Sequence, residues 1–217
     1  MNRRILLGIG AMFFFLASVM NGLNAQQDKQ EGKDKKEPSY YPLQVGNQWT
    51  FKVSVGDNAA TALSRIAKVE NIDGVEMARL EAVVNGNIVA TEHLRETEQG
   101  VFRYRNNGAE ISPPIKLLQY PVTIKPKEPM KWTGKITVGA DKGSYTCEAT
   151  EDTVEVPHGK HKAIKVTIKL EQGKNPPVNT TYWFVKDLGF VKQTVDAAGL
   201  SILMELEKLE RGKEAPK

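Results

Sequence analysis

The stretch Ala163 to Glu171 reads A-I-K-V-T-I-K-L-E, with Ile164, Val166, Ile168 and Leu170 alternating with Lys165, Thr167, Lys169 and Glu171. A period of two puts the aliphatic residues on one face and the charged ones on the other, which is the pattern of a half-buried strand in an antiparallel sheet. The same alternation recurs on both sides of it. Trp49, Phe51, Val53 and Val55 alternate with Thr50, Lys52 and Ser54 near the start of the patterned region. Turn chemistry stands between the runs: Asn71 to Gly74, Asn85 with Gly86, and Glu98 to Gly100 tolerate positive φ and separate runs beginning near Thr61, Val75, Asn87 and Val101. The pattern predicts a meander of consecutive hairpins, resuming at Trp132 and continuing through Tyr145, Val154, Ala163, Thr181 and Leu188. Val75 to Val84 and Leu200 to Arg211 contain good helix formers; both read as strands, but in the second Ile202, Leu206 and Leu209 would also share a helical face, so a helix stays open there. Ile111 to Pro129 holds Pro113, Pro114, Pro121, Pro126 and Pro129. Proline removes ladder donors, so this segment is expected to be a long edge-crossing loop with short strands such as Tyr120 to Ile124.

The ends of the chain differ from this middle. Arg3 and Arg4 precede a nearly continuous apolar run from Ile5 to Val19, and Ala25 offers a small residue before Gln26, so residues 1–25 read as a cleaved secretory signal. The run is short of the roughly 20 apolar residues of a comfortable membrane span, so the membrane is met only transiently. Residues 26–39 carry four lysines and four acidic residues and nothing aliphatic or aromatic, which predicts a disordered charged spacer. The β domain is expected over 40–209, with a short disordered tail at 210–217. Export to the periplasm or beyond follows, as a secreted or periplasmic protein. Of the formal charge of +4, Arg3 and Arg4 carry two, and the remaining basic residues are interspersed with acidic ones. No basic block with interleaved aromatics exists to hold nucleic acid. Cys147 is the one cysteine, so stability rests on the core. It shares a strand face with Tyr145 and Ala149 and reads as a small buried hydrophobe.

Three motifs occur in a recognisable order. They are Y-Y-P-L-Q-V-G-N-Q-W-T-F (Tyr40 to Phe51), V-P-H-G-K-H-K-A-I-K-V (Val156 to Val166) and Y-W-F-V-K-D-L-G-F-V-K-Q (Tyr182 to Gln193). Together they resemble a family of secreted bacterial β-proteins of uncharacterised function, over Tyr40 to Leu209. That family is similar in architecture to the lipoprotein-carrier (Lol-type) fold. The resemblance implies an all-β chain whose single antiparallel sheet curves into an open half-barrel. Mechanically, Pro42 and Gly46 make a turn into the first strand, Pro157 and Gly159 build a hairpin turn, and Gly189 relieves a corner. All three motifs are scaffold.

Candidate sites are few. His158 and His161 could both reach one metal, but Asp152 and Glu155 are only near in sequence, and a metal centre needs three or four oriented ligands. They read as solvated turn residues; no metal and no cofactor is expected. His93, among Glu92, Arg95 and Glu96, reads as a surface strand residue. Glu148 with Glu151, and Asp152 with Glu155, read as solvent-facing pairs, and no G-x-S-x-G, S-x-x-K or H-E-x-x-H motif is present. Asn179 to Thr181 forms a sequon that reads as a loop entering a strand. Trp49, Trp132, Trp183, Tyr145 and Phe184 are expected in the core. Trp183 is the one candidate ligand or partner contact, because both faces of its Y-W-F-V strand are apolar and one needs a cover. That cover is expected to be the proline-rich Ile111 to Pro129 segment, or else a bound ligand or partner.

These features point to a protein that is not an enzyme. One reading is a binding module whose apolar concavity holds a hydrophobic small molecule; the other is a structural or assembly protein of the cell envelope acting through protein contacts.

Overall fold

A computed structural model describes residues 39–125 and 127–212. Residues 1–38, which hold the expected signal and all of the spacer but Ser39, lie outside the described residues, as do 213–217. Twelve strands are found among the described residues: β1 (Gln48–Val55), β2 (Asn58–Ile72), β3 (Val75–Val84), β4 (Asn87–Thr97), β5 (Gly100–Asn106), β6 (Ala109–Gln119), β7 (Met130–Val138), β8 (Asp141–Val156), β9 (Gly159–Gln172), β10 (Val178–Val185), β11 (Gly189–Ala197) and β12 (Leu200–Glu210). Each pairs antiparallel with the next, as the meander predicts. Asn85-Gly86 and Asn107-Gly108 make tight turns with φ of 52° and 78°, and 49° and 81°, values that asparagine and glycine accept most readily.

The sheet does not stop at two free edges. β1 pairs with β12 from Gln48↔Glu210 to Val55↔Ile202, so the strands form a closed barrel rather than the expected open half-barrel. Two causes act together. Register shifts at Thr50/Phe51, Ile66/Lys68, Ala82/Val83, His93/Leu94 and Trp183/Phe184 each bend a strand and increase its twist, which curls the sheet. Pairing the outermost strands then satisfies the backbone donors and acceptors that an open edge would leave to water.

The proline-rich segment also departs from expectation. β6 runs straight through Pro113 and Pro114, and only 120–129 is a connection. Ala109 and Glu110 pair with β5, Ile111 and Ser112 pair with β7, and from Ile115 the strand returns to β5. The prolines sit where the strand changes partner, at a bulge in which a missing N–H leaves no ladder bond unmade. Beyond Ser112 the ladder to β7 ends, so β6 and β7 share two residue pairs. Side chains bridge the resulting seam: Lys116 N–H donates to the Tyr145 hydroxyl at 3.2 Å, and Trp132 Nε1 donates to Lys116 C=O at 2.9 Å.

Strand alternation sends the apolar residues inward and the charged ones outward, where Arg79 meets Glu81 and Lys192 meets Glu205. A lipid-embedded barrel has the reverse pattern, an apolar band facing out. The large exposed hydrophobics among the described residues, Val45, Val69 and Ile88, are scattered singly.

One end of the barrel is closed. Tyr41, carried by the segment before β1, is 3 % exposed, with its ring edge-on to Trp49, Phe184 and Phe190 at 5.8, 6.3 and 5.8 Å. Asn47 is fully buried and ties both termini: its Nδ2 donates to Pro42 C=O, and its Oδ1 accepts from Gly212 N–H. The tip of the β8–β9 hairpin folds against the same end, with Val154 and Val156 buried and His158 N–H donating to Leu206 C=O.

Candidate ligand cavity

Eight strands make a barrel whose side chains just fill it, and twelve make a wider one. Here the large aromatics fill the closed end, where Phe51, Leu94, Phe184 and Leu206 have no exposure. Toward the opposite end, ringed by the turns after β1, β3, β5, β7, β9 and β11, the inward residues become smaller or lose cover: Val55, Val89, Leu170, Val178 and Val195 are only half-buried. Between them lies a cavity of about 160 Å³, with an adjoining pocket of about 50 Å³ reaching down to Tyr41. Most of its wall is aliphatic: Val53, Val84, Ile115, Leu117, Ile168 and Ile202 among others.

Both spaces share a polar cluster. Glu92 follows Ala90 and precedes Leu94 on the inner face of β4, and Arg103 is the register partner of Leu94 on β5. Arg103 Nε donates to Glu92 Oε2 at 2.9 Å, and its Nη2 donates to the Tyr182 hydroxyl at 2.9 Å. Burial works to lower the Arg103 pKa, but Glu92 and Tyr182 outweigh it and hold the guanidinium above its usual range. Burial raises the Tyr182 phenol, against the opposing pull of Arg103. An ion pair in this position is costly to desolvate and is kept in place by its mutual hydrogen bonds. The cavity therefore offers a long apolar wall and one polar station, the usual make-up of a small-molecule site.

None of the three cluster residues was singled out from the sequence. The signal was present, since Glu92 and Arg103 break the apolar faces of consecutive strands with opposite charges. Glu92 was read only as a neighbour of His93.

The residues that were singled out lie elsewhere. Trp183 is half-buried on the outer wall, not in the core: its Nε1 donates to Asp152 at 2.8 Å, and the ammonium groups of Lys165 and Lys192 lie 5.5 and 5.7 Å from its ring. β6 cannot cover it, because β7, β8 and β9 stand between β6 and β10 in the barrel. The lysine stems from the two flanking strands supply the cover instead. Trp49, Trp132, Tyr145 and Phe184 are buried as expected. His158 Nδ1 lies 3.2 Å from His161 Nε2 on the β8–β9 turn, and burial with the neighbouring His158 lowers the His161 pKa. No group of three or more metal-ligating side chains converges among the described residues. His93 is buried rather than exposed, because Glu70 takes its Nε2 at 2.7 Å within a network of Lys68, Arg79 and Glu81. Cys147 faces inward beside Tyr145 and Ala149, and burial pushes its thiol up to about 12. A larger space of about 630 Å³ on the outer wall, bounded by Tyr40, Glu151, Asp152 and Lys186, is wide and charged. Water fills such a groove freely, so the smaller barrel cavity is the stronger candidate.

No protein-family model matches the chain, and no curated protein sequence matches it. Two solved structures are similar. One is a candidate lipoprotein from Parabacteroides distasonis, at a TM-score of 0.50 and 13% identity, over 81% of this chain and all of that one. The other is a candidate exported protein with YmcC-like fold from Bacteroides fragilis, at 0.49 and 14%, over 80% of this chain and all of that one. The first likeness is one of fold.

Proposed function

We propose that this chain is an exported, non-enzymatic binding barrel that takes a small, mainly apolar molecule through the turn-ringed end of its cavity. The observation that carries this reading is the unfilled, aliphatic space above a closed aromatic floor. A dry apolar cavity of roughly 150 Å³ is enough to hold benzene, so a space of this size with an open end accepts a short hydrocarbon segment. Export rests on the leader at residues 1–25. The polar cluster supports binding over catalysis: Arg103 stays charged and burial raises the Tyr182 phenol, so neither is suited to exchange protons near neutrality.

The test is titration of the delipidated protein with a fluorophore that brightens in apolar surroundings. Saturable uptake is expected, and Ala82→Leu, which places a larger side chain on the cavity wall, should weaken it. Absence of saturable uptake by the wild type would overturn the reading.

A further inference from the structure

The chemistry of the cavity's polar station restricts what can stand on it. We infer that the ligand's polar end is electrically neutral and both donates and accepts hydrogen bonds, as a hydroxyl or primary amide does, and that a carboxylate on the same tail is disfavoured. This rests on the cavity-binding reading above.

Three observations lead to it. First, the Arg103 charge is already matched by Glu92 at 2.9 Å, so the station is neutral before a ligand arrives. A ligand carboxylate would bring an uncompensated negative charge into an apolar space beside an existing carboxylate. Both the loss of its water and the repulsion oppose that. Second, the Tyr182 oxygen accepts from Arg103, and its own O–H meets no acceptor among the described residues, so it can donate to a ligand oxygen. Third, Asn106, on the wall of the same cavity, carries a buried Oδ1 with no hydrogen-bond partner. An acceptor buried without a donor is destabilising, and a ligand O–H or N–H relieves that where a carboxylate has nothing to donate. Gln193 and Thr180, also on the wall, can serve either role.

The experiment is displacement of the bound fluorophore from the mature protein at neutral pH by decanol, decanamide and decanoate, which share a tail and differ in the head. The alcohol and the amide should displace it about ten-fold more effectively than the acid. Glu92→Gln leaves the Arg103 charge unmatched and should reverse the order in favour of decanoate. Decanoate competing as well as decanol on the wild type would overturn the inference without the variant. So would failure of all three to displace a fluorophore that does bind, which leaves the cavity reading standing. Lack of fluorophore uptake in the first place overturns the cavity reading itself.

Discussion

Tyr145 reaches the seam because Gly134, its register partner on β7, has no side chain; a Cβ there would lie 2.5 Å from the ring. The ring lies across that gap to accept from Lys116 N–H. Gly134→Ala is expected to displace it and cost about 1–3 kcal/mol, the range for overpacking. Tyr145→Phe keeps the ring, strands the Lys116 donor, and should cost about 1–3 kcal/mol as well. Urea denaturation measures both, and combining them should give less than the sum, because each breaks the same contact. Trp183 is a different case. A fully packed tryptophan costs about 3–5 kcal/mol to truncate, but this one is half-exposed between two lysines. Trp183→Ala should cost about 1–2 kcal/mol, the scale of its packing and cation–π contacts, and leave fluorophore uptake intact. Lost uptake would place the site on the outer wall.

Among the elements, β6 is the least secured, with two pairs to β7 and two proline positions that cannot donate. From Ile115 to Gln119 the strand still pairs with β5, so the weakness lies on one side. Hydrogen exchange should show β6 and β7 opening before the long β8–β9 hairpin. The outer wall of β2 to β4 makes a pH-dependent contribution. Hydrogen bonds from Lys68 and His93 hold the Glu70 carboxyl down at about 2, against a small opposing effect of burial. A folded-state pKa below the unfolded one means that this stabilisation is complete above the ordinary carboxylate range near 4.5 and is lost as pH falls toward about 2. Because Glu70 stands half-buried on the outer wall, where solvent still screens its ion pairs, the effect should stay below about 1 kcal/mol. Urea midpoints at pH 6 and pH 3 should differ more for the wild type than for Glu70→Gln.

For the whole molecule, the closed end depends on a segment that precedes the first strand. Ser39 and Tyr40 bond to Glu96, and Tyr41 fills the floor. Deleting 26–38 should leave thermal melting within the roughly 2–4 °C that 1 kcal/mol produces in a domain of this size, whereas deletion through Tyr41 should lower it well beyond that. A larger drop for the first deletion would show the spacer to be docked. The all-β class, the order of the hairpins, the inward set on β9 and the burial of Cys147 were legible in the residues, because period-two patterning and turn chemistry act over a few neighbours. Leu200 to Arg211 was only half legible: it read as a strand and β12 is one, but Ile202, Leu206 and Leu209 would also have shared a helical face, so the residues left both open. Proline was read correctly as excluded from a regular ladder, but its two escapes, an edge loop and a bulge, look alike from the residues. The half-barrel expectation and the unseen Arg103–Glu92–Tyr182 station failed for a shared reason. Whether β1 meets β12, and whether a charge on an apolar face finds its partner, depends on accumulated twist and register across strands far apart in the chain. The residues determined on their own which face of each strand is apolar and where the chain turns. Only the tertiary structure decided that those faces close on a cavity, because closure is set by the summed bending of many bulges and not by any single stretch.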